Sequence, residues 1–168
     1  MGTYHIWTMG CQMNKADSET LAQGLEERGL TPVPSPEEAD VIVVNTCVVR
    51  QGAEDRAVNK LASLRPMKTD GRSPFIALVG CMVDSNVPAL QRRFPHVDLF
   101  LKPGEVQPLL EAVSPPNPAA QTERSSPTAF VPVIQGCDNF CTYCIVPYRR
   151  GRERSAPVED IVCQVRAL

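Results

Sequence analysis

Six of the seven cysteines in this 168-residue chain occupy positions from which thiolates could hold iron or zinc. Three of them, Cys137, Cys141 and Cys144, lie together in GCDNFCTYCIVPYRRG (136–151) at a C-x3-C-x2-C spacing. Thiolates are soft ligands that suit zinc and iron–sulfur clusters. A [4Fe–4S] cube with full protein ligation takes four cysteines. Three leave one iron open, and an open coordination position is what a catalytic metal centre keeps. The alternative is a zinc site completed by histidine, but His5 and His96 are the only histidines and neither is near the motif in sequence. A second set, Cys11, Cys47 and Cys81, occurs in TMGCQMN, VNTCVVR and LVGCMVD, each directly after an apolar run. An odd cysteine count at wide spacing fits a disulfide framework poorly and points to metal or redox chemistry.

The elements around these cysteines alternate between strand and helix. TYHIWTM (3–9) reads as a strand. KADSETLAQGLEERG (15–29) reads as a helix with Asp17 as N-cap, an apolar face of Leu21, Ala22 and Leu25, and Gly29 as its stop. DVIVVN (40–45) is a short continuous apolar run, as in a strand buried on both faces. GAEDRAVNKLASLR (52–65) puts Ala53, Ala57, Val58, Leu61 and Leu64 on one helical face. PFIALVG (74–80) and VDLFL (97–101) are further strands. VPALQRRF (87–94) and EVQPLLEAV (105–113) are helices, the second weakened by Pro108.

This alternation predicts an α/β domain over 1–113, a Rossmann- or flavodoxin-like parallel sheet covered by helices. In such a sheet the carboxyl ends of the strands share one edge, where ligands bind. Topology would therefore bring Cys11, Cys47 and Cys81 to one place, and Gly10 and Gly80 would let the backbone turn tightly beside a bulky ligand. A shared metal site follows, with buried thiols as the plain alternative. Cys163, beside Ile161, Val162 and Val165 in a helix from about Pro157, reads as core. The stretch 114–127, with four prolines and several serines, reads as a linker. The segment 128–168 then begins a second unit, with a strand over 128–136, the three-cysteine loop and the closing helix.

Hydrophobic residues make up 43% and charged residues 21%, as in a globular protein, and the net charge of −2 argues against a strongly basic nucleic-acid footprint on this chain, while leaving RNA open as a substrate contacted elsewhere in a longer enzyme. The basic run RRGRER (149–154) is the local exception. It reads either as a contact for phosphate or cofactor carboxylate or as a solvated loop. There is no apolar run of membrane-spanning length and no signal-peptide pattern at the start, so a cytoplasmic location and no membrane partner are expected.

The C-x3-C-x2-C motif after a strand resembles the signature of radical S-adenosylmethionine (SAM) enzymes. The likeness widens through GCQMNKADSE (10–19), NTCVVRQGAEDR (45–56), GCM (80–82) and GCDNFCTYCIVPYRRGRERS (136–155), which together resemble the methylthiotransferase family. That resemblance implies two [4Fe–4S] clusters. One, on Cys137, Cys141 and Cys144, would bind SAM and cleave it reductively to a 5′-deoxyadenosyl radical, with Tyr143 near the adenine. The other, an auxiliary cluster on Cys11, Cys47 and Cys81, would deliver sulfur as a methylthio group. The implied partners are a tRNA substrate, an electron donor and a sulfur donor, with the protein a monomer.

The CQMN form resembles the branch acting at C2 of N6-isopentenyl(dimethylallyl)adenosine beside the anticodon. The branches acting on threonylcarbamoyladenosine in tRNA or on a ribosomal-protein aspartate stay open, as does a non-catalytic metal-binding module. Ala156 and Val83 stand where the family often has Arg and Ala. Only 24 residues (145–168) follow Cys144, whereas a complete (β/α)8 barrel takes about 250. The chain is therefore expected to be the front of a truncated radical SAM barrel enzyme, inactive by itself.

Overall fold

The computed structural model describes residues 2–49, 51–69, 71, 73–83, 86–113 and 128–167. The expected linker, 114–127, lies outside them. The first part runs β1 (Thr3–Thr8), α1 (Gln12–Glu26), β2 (Thr31–Pro32), β3 (Val41–Thr46), α2 (Gln51–Leu64), β4 (Phe75–Gly80), α3 (Val87–Arg93), β5 (Leu99–Leu101) and α4 (Gln107–Val113). Its five strands form one parallel sheet in the order β2-β1-β3-β4-β5. This is the α/β architecture the apolar runs predict, in the flavodoxin-like strand order.

All of β3 is buried, as is β4 from Ile76 onward. Helices on both faces leave these strands no polar side, which is why they read as continuous apolar runs. Ile42, Val44, Ile76 and Leu78 pack on one face with Ala57, Leu61 and Leu64 of α2 and with Phe94 just after α3. Val41, Val43, Ala77 and Val79 pack on the other with Leu21 and Leu25 of α1 and Leu109 and Leu110 of α4. Each fully buried Leu or Ile contributes about 1.5–3 kcal/mol relative to exposure, so the two cores fix the sheet that carries the cysteines.

Two local expectations are corrected and one strand is added. α1 starts at Gln12 with Cys11 at the N-cap, so Asp17 lies inside the helix, where it is buried rather than capping. Pro108 sits in the first turn of α4, where a missing N–H costs nothing, and so starts this helix rather than weakening it. The edge strand β2 was not foreseen, because two exposed residues, one of them proline, carry no alternation to read.

The second part contains β6 (Ile134–Gln135), α5 (Val146–Arg150), β7 (Arg154–Ser155) and α6 (Val158–Ala167). The strand expected over 128–136 is confined to two residues, which pair antiparallel with β7. α5, which ends on the first two residues of the basic run, was not anticipated. α6 buries no residue, and Cys163, expected in the core, is exposed together with Val162 and Val165. Periodicity marks a face that can be buried, and among the described residues nothing covers this one. No helix among them is long and apolar enough to cross a membrane.

Candidate metal centre

β3 and β4 end in register, Thr46 opposite Gly80, so Cys47 and Cys81 take equivalent positions one residue past two adjacent strands. The Cys81 N–H donates to Thr46 O at 3.0 Å. On the other side of β3, Thr8 is level with Asn45, and the Met9 N–H donates to Asn45 O at 2.9 Å. This brings Gly10 against Cys47: a Cβ on Gly10 would lie 2.7 Å from the Cys47 Cβ. Gly80, at φ +99°, would carry a Cβ 2.5 Å from Thr46 O. Both turns demand glycine, and their bareness lets three chain segments converge. Cys11 follows Gly10 at the N-cap of α1 and is exposed, whereas Cys47 and Cys81 are buried. β1 and β3 flank the point where strand order reverses, the crevice in which open α/β sheets bind ligands.

Beneath these thiols lies a buried polar network centred on Asn14. Its Nδ2 donates to Thr46 O at 2.8 Å, Asn45 Oδ1 at 3.0 Å and Met9 O at 3.3 Å. Its Oδ1 accepts from the Cys11 thiol at 3.3 Å and from Arg150 Nη2 at 3.2 Å. Asn45 Nδ2 donates back to Asn14 O at 2.8 Å and to Ser18 Oγ at 2.9 Å, and Ser18 Oγ also bonds Thr8 Oγ1 at 2.7 Å. Buried polar groups persist only when paired, and here the pairing stitches the ends of β1 and β3 to the first turns of α1.

Arg150 reaches this network from α5. Its Nη2 also pairs with Asp17 Oδ2 at 2.8 Å, with the two side chains only 4% and 9% exposed. Burial acts to lower the guanidinium's affinity for its proton, but the hydrogen bond and charge of Asp17, joined by Cys81 and Cys11, outweigh it and the net shift is upward. Burial pushes the Cys81 thiol above its usual range; the Arg150 charge and, least of all, a weak hydrogen-bonding contact from its guanidinium oppose that, while Cys47 and Cys11 reinforce it. The three strand-end sulfurs and one guanidinium thus share an electrostatic neighbourhood.

The C-x3-C-x2-C loop is held by the basic run that follows it. Arg152 Nε pairs with Asp138 Oδ1 at 3.0 Å, and the Glu153 N–H donates to the same oxygen at 2.9 Å. Arg152 also lies over the Phe140 ring, which meets Tyr148 edge to face. The Cys137 N–H donates to Gly151 O at 3.2 Å, and the Cys144 N–H to Cys141 O at 3.0 Å. Cys141 is exposed, Cys137 and Cys144 are half-buried, and Tyr143 is 91% exposed. Of the two readings of RRGRER, neither covers Arg150, which is buried in an ion pair.

Among the described residues, no three His, Cys, Asp or Glu side chains converge to hold one metal ion. A zinc ion would need thiolates about 2.3 Å from a single centre. Thiolates that ligate a cube attach to different irons and stand further apart. The histidines are engaged elsewhere, His5 with Val33 O and His96 with Leu61 O. Sequence reasoning singled out all six cysteines but missed Asn14 and Arg150 and misread Asp17. A signal was present: Asn14, Asp17 and Ser18 follow Cys11 at helical spacing, an inward polar stripe beside a suspected site.

Residues 3–102 match the model of a family described as uncharacterized protein family UPF0004. The whole chain is 41% identical to a protein of Dehalococcoides mccartyi strain BAV1 over 168 residues, 40% of that protein's length. It is 42% identical to one from Dictyoglomus thermophilum, again over the whole chain and 42% of the relative, and 40% identical to one from Moorella thermoacetica over 99% of the chain and 42% of the relative. Each of these relatives is named tRNA-2-methylthio-N(6)-dimethylallyladenosine synthase. The chain thus spans about 40% of the length of the curated relatives it matches.

Proposed function

The chain belongs to the UPF0004 family, and on that premise we propose that it is the front portion of a tRNA methylthiotransferase. The full-length protein adds a methylthio group to C2 of N6-isopentenyl(dimethylallyl)adenosine next to the anticodon. Likeness along the whole chain to relatives named for that activity supports this reading, as does the CQMN form at 11–14. The observation that carries it is the in-register placement of Cys47 and Cys81 on adjacent strands with the Cys11 turn packed against Cys47.

On this reading residues 1–113 form the sulfur-delivering domain and 128–168 begin the radical SAM core, with 114–127 as the linker. Cys11, Cys47 and Cys81 would hold the auxiliary [4Fe–4S] cluster; Cys137, Cys141 and Cys144 would hold the one that binds SAM. The donor sets fit such groups: each offers three thiols and leaves one iron open, and the strand-end set has a cradle in which a Cβ at Gly10 or Gly80 would collide. When bound, the clusters supply the electron that splits SAM and the sulfur that is transferred. The chain's own part is positional. The sheet edge fixes the strand-end thiols, Arg152 and Asp138 brace the radical loop, and the exposed Tyr143 ring is free to cover the adenine.

Anaerobic reconstitution followed by iron, sulfide and zinc analysis tests the centres. Two clusters, about eight irons with matching sulfide, are expected; stoichiometric zinc without sulfide would replace this reading with that of a metal-binding module. Nucleoside mass spectrometry of tRNA from a strain lacking the gene tests the substrate. Loss of 2-methylthio-isopentenyladenosine is expected. An unchanged level, with loss of the threonylcarbamoyl counterpart or of aspartate methylthiolation on a ribosomal protein, assigns another branch.

A further inference from the structure

We propose that Arg150 is a positioning residue for the strand-end centre, carried there by the radical unit. Asp17 and Asn14 clamp its Nη2, leaving Nη1 to donate to the sulfur held at Cys81. Three observations carry this. The guanidinium is almost wholly buried and doubly tied on one nitrogen, so it is fixed rather than sampling solvent. Its Nη1 is buried without a hydrogen-bond partner, and a buried, unsatisfied charged donor costs more than an ordinary lost hydrogen bond. Its Nη2 shares the Asn14 Oδ1 acceptor with the Cys11 thiol, at 3.2 and 3.3 Å, which sets the guanidinium beside the sulfurs at the strand ends. Thiolate or sulfide at this edge is the anionic acceptor that Nη1 lacks.

The placement links the two cysteine sets physically. Arg150 lies six residues after Cys144, yet its partners lie 133 and 136 positions earlier in the chain. The strand-end centre is therefore complete only when α5 is docked on α1. A hydrogen bond from a cation to cluster sulfur stabilises the more negative, reduced state and so raises the reduction potential. Lysine would keep the charge but lose the planar fork that serves both the clamp and the sulfur.

This inference rests on the cluster reading above, and its test separates the two. The protein in its full-length form, with Cys137, Cys141 and Cys144 replaced by Ala, is reconstituted so that only the strand-end centre remains. It is grown with arginine labelled with 15N in the guanidinium, and the reduced centre is studied by pulsed electron paramagnetic resonance. The expected result is a 15N hyperfine coupling that disappears in R150K while the cluster stays. In a separate titration the reduction potential of R150Q is expected to move to a more negative value, with R150K between R150Q and the unsubstituted residue. A cluster without 15N coupling, a coupling that survives R150K, or potentials that do not respond to either substitution would overturn the role of Arg150 alone. Failure of Cys11, Cys47 and Cys81 to bind iron and sulfide at all would overturn the cluster reading instead. Detecting the coupling needs no Arg150 variant to fold; only its assignment to Arg150 uses R150K.

Discussion

Replacing Asn14 by alanine should destabilise the apo-protein more than any alanine substitution on the exposed side of α1. Asn14 is completely buried, and its amide donates to Asn45 Oδ1 at 3.0 Å. Truncation leaves that oxygen buried and unpaired, at about 1–3 kcal/mol. Thr46 O would lose a 2.8 Å bond but keep the Cys81 N–H, and Arg150 would lose one acceptor but keep Asp17, so these add only part of that cost each. The sum is about 3 kcal/mol, against typical domain stabilities of about 5–15 kcal/mol. It corresponds to a fall of roughly 6–12 °C in Tm for a chain of this size. Urea and thermal melts followed by circular dichroism, in anaerobic reducing buffer without metal, would measure it. Lys15→Ala, exposed on the same helix, is the control and should stay within about 0.5 kcal/mol of the unsubstituted protein. If Asn14→Ala falls within that same margin, the network does not hold the strand ends and the reasoning is refuted.

Three other outcomes follow from the same geometry. Gly80→Ala should cost roughly 2–5 kcal/mol, because φ is +99° and the new Cβ meets backbone rather than a flexible side chain. Gly52→Ala, with nothing within 4 Å, should be neutral or stabilising by up to about 1 kcal/mol; equal urea midpoints for the two variants would contradict this account. Asp17→Ala should cost about 3–5 kcal/mol by leaving the Arg150 charge buried without its counter-ion, and a loss below about 1 kcal/mol in urea melts would show the pair to be solvated. Burial raises the Cys81 thiol in the folded state despite Arg150, so the folded chain keeps a proton that the unfolded chain releases. Apo stability from this group is full below the unfolded thiol's value of about 8.5 and is lost as pH rises through it toward the folded one. Urea midpoints between pH 8 and 10 should therefore fall more steeply for the unsubstituted protein than for Cys81→Ala, and parallel slopes would count against that assignment.

The sheet was legible because its evidence is local. Continuous apolar runs at 41–46 and 75–80 report burial on both faces, and a cysteine following such a run must lie at a strand end whatever the strand order. The two tight glycines and the C-x3-C-x2-C spacing were equally readable. What local pattern could not supply was the order β2-β1-β3-β4-β5 and the register that makes Cys47 and Cys81 equivalent. Nor could it predict that, among the described residues, nothing covers the apolar side of α6, where Cys163 is exposed. Asp17 shows the limit most clearly. Its neighbours in sequence fit a helix cap; its actual partner is Arg150, 133 residues away. A charged side chain announces its need for a counter-charge by type alone, and only the folding of α5 onto α1 decides which charge answers it.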